Sequence, residues 1–155
     1  MGRSKYKQVK SEYTPASREV RRSENPDSIY EKTPAWGFAR CDSEGAWAIS
    51  QVHLKTSFWD RIFPRLKSFE TMTWGEILIK GKKMHHRIDV PKLNGCAQKR
   101  LAELQISEDE IISLRIDGTT RLYGFLSEAT FILLWYDADH GDNGTCVCRS
   151  TKKHT

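Results

Sequence analysis

The stretch IISLRIDGTTRLYGFLSEATFILLWYD, residues 111–137, decides the fold. Three β-prone runs are separated by two turn signals, Gly118-Thr119-Thr120 and Ser127-Glu128-Ala129. In the first run Ile112, Leu114 and Ile116 alternate with Ser113, Arg115 and Asp117. In the second, Leu122, Gly124 and Leu126 alternate with Arg121, Tyr123 and Phe125. The third, Phe131 to Tyr136, is apolar without alternation, the pattern of a central strand covered on both sides. Short turns between consecutive strands predict an antiparallel meander.

Moving toward the N-terminus, Ala97, Leu101 and Leu104 form a helical stripe behind Asn94, a capping residue. Thr73-Trp-Gly-Glu76 has the form of a capping box and predicts a helix over 74–80 that Gly81 ends. Phe58, Ile62, Phe63, Leu66 and Phe69 keep helical spacing behind Thr56 or Ser57. Pro64 lies inside that pattern, so the helix is kinked or split in two. Trp36–Cys41 and Ala46–Ser50 flank the turn signal Asp42-Ser-Glu-Gly45 and predict a β-hairpin. The order is a hairpin, two to three helices and a three-stranded meander. That is an α+β domain whose single sheet is packed by helices on one face. Residues 34–155 form this domain, with a flexible basic tail after His140. Residues 1–33 lack apolar periodicity and read as a disordered basic arm.

The chain has 155 residues and a net charge of +5. Residues 1–33 hold 8 basic and 5 acidic side chains, which leaves only +2 for the rest. A polyanion partner would therefore meet a local patch rather than a uniformly basic body. No run of about 20 apolar residues exists, so no transmembrane helix and no membrane partner are expected. The basic N-terminus lacks the apolar core of a secretory signal, and the reading is cytoplasmic. Cys41, Cys96, Cys146 and Cys148 form no C-x-x-C pair and read as reduced thiols. Cys146-Val-Cys148, near His140 and Asp137, does not match the usual zinc spacing, so no metal is expected. No phosphate loop, nucleophile elbow or other cofactor motif occurs, and no cofactor is expected.

If the apolar strand faces meet the helices, Arg115, Arg121 and Tyr123 share the outer face, and His140 follows the last strand. Arg, Tyr and His together can cut RNA without metal. One group takes the 2′-hydroxyl proton, another protonates the leaving oxygen, and arginines hold the phosphate. Arg121, Tyr123, His140 and His86 are the candidate catalytic residues. Lys82, Lys83, His85, Arg87 and Arg115, with Lys152 and Lys153 of the tail, are the candidate RNA contacts. The same residue types also populate ordinary solvated sheet faces, and His85-His86 fits a polar loop equally well.

The segments Gln98–Leu104, Ile112–Gly118, Arg121–Gly124 and Ile132–His140 resemble the second half of the RelE/ParE toxin superfamily, within a similarity covering residues 53–140. A set of small bacterial proteins is also similar, through His85-His-Arg-Ile-Asp-Val90 and Leu134-Trp-Tyr-Asp-Ala-Asp-His140. The resemblance implies a helix followed by three antiparallel strands. It implies messenger-RNA cleavage, on the ribosome in RelE-type members, or gyrase inhibition in ParE-type members, with a cognate antitoxin as partner. It gives Arg115 and Arg121 as phosphate contacts, Tyr123 as a stacking or acid/base residue, and His140 near the site. Asp137 and Asp139 depart from that pattern by lowering the positive potential beside His140. The leading expectation is thus a toxin-like, RNA-binding endoribonuclease. The alternative is a non-enzymatic module that binds protein or nucleic acid through the arm and the tryptophan-rich hairpin. A third reading is a metal-dependent nuclease using His85, His86, Asp137 and His140.

Overall fold

The computed structural model describes residues 26–141 and 146–148. Most of the arm, residues 1–25, and most of the tail, including Lys152 and Lys153, lie outside the described residues. Among the described residues five strands form one sheet in the order β1-β5-β4-β3-β2. They are β1 (Ala35–Gly37), β2 (His86–Asp89), β3 (Glu110–Arg115), β4 (Arg121–Ser127) and β5 (Thr130–Asp137). The α-helices are α1 (Gln51–Leu54), α2 (Phe63–Phe69) and α3 (Gly95–Glu103). The architecture is α+β, and β3, β4 and β5 are the antiparallel meander that alternation predicts.

The expected hairpin is not there. Trp36-Gly37 does extend as a strand, but β1 pairs in parallel with β5, with Trp36 opposite Phe131. The chain then lines the rest of that β5 edge as a loop. The Asp42 N–H donates to the Leu134 carbonyl, and the Tyr136 N–H donates to the Trp47 carbonyl. Alternation in residues 36–50 reports an extended chain with one buried side, and it carries no information on which edge satisfies the backbone groups.

Pro64 does not break its helix in two: Ile62 and Phe63 keep right-handed helical angles, and only the winding changes ahead of the proline. Residues Phe58–Ile62 wind as a π-helical run, and α2 follows with Pro64 in its first turn, where a missing N–H leaves no bond unmade. Ser57 holds the N-cap position of this run but makes no side-chain cap bond, whereas Ser50 caps the separate α1, its hydroxyl accepting the His53 N–H at 3.4 Å. The capping box is present, with Thr73 N–H to Glu76 Oε1 at 2.9 Å and Glu76 N–H to Thr73 Oγ1 at 3.2 Å. The helical residues it opens continue as a π-helical run, Glu76–Lys80. Asn94 caps α3 by accepting the Cys96 N–H at 2.8 Å.

Helices cover both faces of the sheet, which corrects the one-face expectation. On one face Ile62, Leu66, Phe69, Trp74 and Ile77 pack on Ile112, Leu114, Leu122 and Leu133. On the other, Leu93, Ala97 and Leu101 from and beside α3, with Trp47 and Val147, cover Ile111, Tyr123, Phe125, Leu134 and Trp135. β5 serves both by alternation, and a bulge shifts its phase so that Leu134 and Trp135 share the second face. Tyr123 opposes Trp135 and Gly124 opposes Leu133, so Leu134 is the extra residue and alternation changes phase there. Gly124 is required at this point, because a Cβ would meet the Ile132 carbonyl and the Phe131 ring.

The packed domain begins before Pro34. Pro26–Glu31 is a 3-10 helix, Ile29 and Tyr30 pack on the first core, and the Lys32 carbonyl accepts the Trp74 N–H at 2.9 Å. Among the described residues no helix is long and apolar enough to cross a membrane.

Candidate nucleic-acid interface

Cationic side chains gather at the sheet end where β2 starts, β3 finishes and β4 starts. Arg115 and Arg121 are cross-strand partners, and His86 lies opposite Ser113 two residues further in. His85 precedes β2 and is buried, its ring edge-on to Phe69 with centroids 5.3 Å apart. Its Nδ1 accepts the Arg115 N–H at 3.0 Å, which assigns the ring proton of the neutral form to Nε2. Arg65 reaches over from α2, donating Nε to the Arg115 carbonyl at 3.3 Å with its guanidinium 4.6 Å from the Phe69 ring centre.

The electrostatics record the crowding of like charge. Burial, then Arg65, His86, Arg121 and Arg115, hold His85 down to about 4. Burial and neighbouring Arg115 lower the guanidinium pKa of both Arg65 and Arg121. The acids nearby are engaged elsewhere. Asp117 accepts the Thr119 and Thr120 N–H groups and pairs with Arg61 at 3.5 Å. The Asp137 carboxylate accepts the Val147 and Asp139 N–H groups, each at 2.9 Å. Among the described residues neither Arg65 nor Arg115 has a carboxylate within ion-pair distance, and exposed Lys82 and Lys83 precede His85 in the chain, with exposed His86 following it.

Several expected site residues have other tasks. Arg121 is 7% exposed, and its Nη1 donates to the carbonyls of Asp117, Gly118 and Thr120, at 2.9, 3.2 and 3.1 Å. It ties the β3–β4 turn together and has little surface left for a phosphate. Tyr123 is fully buried under α3, and burial together with the Cys148 and Asp137 side chains pushes its phenol far above the ordinary range. The solvated outer face expected for Tyr123 is a second core, so its ring cannot stack on a base. Arg87, on the outer strand β2, is held by Glu110 at 2.6 Å and by the Tyr30 hydroxyl at 3.1 Å. His140 stands behind the β3–β4 turn, its N–H donating to the Thr119 carbonyl at 3.0 Å and its Nδ1 3.6 Å from the Cys148 sulfur. The structure therefore brings Arg115, His85, His86 and Arg121 to one sheet end and sets Tyr123 and His140 behind it.

The two tryptophans of the expected hairpin are packing residues. Trp36 touches Phe69, Trp74 and Phe131, and Trp47 lies 5.2 Å from Trp135. Arg65 is the residue that sequence reasoning missed. The available signal is its place between Ile62 and Phe69 on the same helical stripe, where a cation must reach the sheet end. Asp42 and Arg100 were also missed. The Asp42 carboxylate takes Arg100 Nη2 at 2.7 Å, Arg100 Nε at 2.8 Å and Trp135 Nε1 at 2.9 Å, clamping the β5-edge loop onto α3. A cleft of about 610 Å³ opens beside this clamp, lined in part by His53, Cys96, Lys99 and Asp139. No family model, curated protein or solved structure matches this chain.

Proposed function

We propose that this protein binds RNA through the cationic sheet end, with Arg65 and Arg115 as the phosphate contacts and Lys82, Lys83 and His86 at the border. The single observation that supports this is the gathering of Arg65, His85, His86, Arg115 and Arg121 with no carboxylate paired to Arg65 or Arg115 among the described residues. Like charges held together cost free energy unless an anion joins them, and a phosphate backbone supplies that anion. The proposal keeps the RelE-like reading at the level of RNA binding. It extends to cleavage only through His86, which is exposed beside Arg115, whereas Tyr123 and Arg121 are inaccessible or engaged.

Incubating the purified full chain with end-labelled single-stranded RNA, in parallel gels for retention and for fragmentation, tests both parts. Retention at low salt that is lost in Arg65→Ala/Arg115→Ala supports the binding site. Fragments that disappear in His86→Ala while retention persists support a toxin-like endoribonuclease whose neutralising partner would be an antitoxin. Unretained RNA at low salt overturns the proposal.

A further inference from the structure

We infer that His140, Cys146 and Cys148 form a binding site for a zinc-class divalent ion. Their ligating atoms all lie within 4.8 Å of one another, although Cys-x-Cys is not among the usual spacings of structural zinc motifs. With metal–sulfur bonds of about 2.3 Å and metal–nitrogen bonds of about 2.0–2.1 Å, a tetrahedral ion holds a sulfur and a nitrogen roughly 3.5 Å apart. The Cys148 sulfur and His140 Nδ1 are already 3.6 Å apart. Two thiolates and one imidazole select zinc or cobalt over magnesium or calcium, which take oxygen ligands. Two thiolates also neutralise a divalent charge, so the loaded site adds no net charge to the interior.

The backbone carrying the three ligands is fixed from several directions. Asp137 accepts the N–H of Val147, between the two cysteines, and the N–H of Asp139, just before His140. The Asn94 N–H donates to the Val147 carbonyl at 2.9 Å, and its Nδ2 donates to the Cys146 carbonyl at 3.3 Å. Leu93 bridges to Cys148, and the His140 N–H donates to Thr119. Cys146 is buried, and His140 and Cys148 are half-buried.

A second, independent observation points to the same place. The Tyr123 hydroxyl and the Ser113 hydroxyl are cross-strand neighbours, fully buried, and neither makes a hydrogen bond of acceptable geometry. Tyr123 lies within electrostatic reach of both Cys148 and Cys146. Burying a phenol with poor hydrogen-bonding partners is costly, and a metal-bound thiolate nearby would offer it an acceptor besides the Ser113 hydroxyl. Cys41 and Cys96 lie outside this cluster and serve as controls.

The test is a cobalt titration of the reduced, chelator-treated full chain. The expected result is one ion per chain, with thiolate-to-cobalt charge-transfer absorption and the visible bands of four-coordinate cobalt, both displaced by zinc. Cys148→Ser and His140→Ala weaken or abolish the bands, and Cys41→Ser/Cys96→Ser keeps them. His140→Cys restores binding with a stronger charge-transfer band, which guards against simple misfolding of the alanine variant. Asp137→Asn, which loosens the backbone anchor, lowers affinity by roughly 10- to 100-fold. Absence of charge-transfer bands in the reduced wild-type chain overturns the inference, as does a band that survives Cys148→Ser or depends on Cys41 and Cys96.

Discussion

Burial and the positive charges of Arg65, His86, Arg121 and Arg115 hold the His85 imidazole neutral, with its pKa down at about 4. The unfolded chain takes up that proton near pH 6.5, so between about pH 6.5 and 4 it binds a proton that the native state refuses. Stability from this residue is complete above that window and is lost as the pH falls through it. NMR titration of the ring should place its midpoint near 4, and His85→Asn should flatten stability between pH 6.5 and 4. Asp42 acts lower on the pH scale. Burial opposes its ionisation, but the hydrogen bonds from Arg100 and Trp135 win and lower its pKa, so its contribution disappears only in stronger acid. Asp42→Ala leaves Trp135 Nε1 and Arg100 without their shared acceptor and should cost about 2–3 kcal/mol by urea denaturation. Neither role is legible in the sequence, because residues 42 and 100 meet only after the chain has folded around β5. The candidate residues Arg115, His85 and His86 were legible as types and spacing. Tyr123 was misassigned because its phenolic tip looks polar, whereas its ring is the part the second core needs.

The meander was legible because its strands pair with their immediate neighbours and their turns are short. The 36–50 segment was misread for the converse reason: its partner, β5, lies some ninety residues further on, as the 93-residue separation of the Asp42–Trp135 hydrogen bond illustrates. Periodicity describes a strand's sides and is silent on its edges. The bulge opposite Tyr123 and Gly124 shapes the second core, since it changes the phase of β5 so that the consecutive residues Leu134 and Trp135 both face α3, while Leu133 and Tyr136 face the first core. Gly124→Ala forces a Cβ against the Ile132 carbonyl, and the expected loss is at least about 2 kcal/mol, read as a lowered melting temperature. The Thr73–Glu76 box, which the sequence announces directly, should behave as a local cap. Thr73→Ala should cost about 1 kcal/mol and leave the fold unchanged.

At the scale of the whole molecule, a sheet covered on both faces offers a ligand its ends and its edges, and the cationic groups lie at one end. The composition of +5 is modest, and what matters is that uncompensated charge concentrates where β2, β3, β4 and α2 meet. The affinity for a single-stranded RNA oligonucleotide, measured across a salt series for the wild type and for Arg65→Ala/Arg115→Ala, tests this most directly. Each phosphate contact removed should lower the slope of log affinity against log salt by about 0.7. The double variant should therefore bind more weakly at low salt and show a shallower slope by roughly 1.4. Equal affinity and equal slope for the two proteins would contradict the assignment of the sheet end as the RNA site.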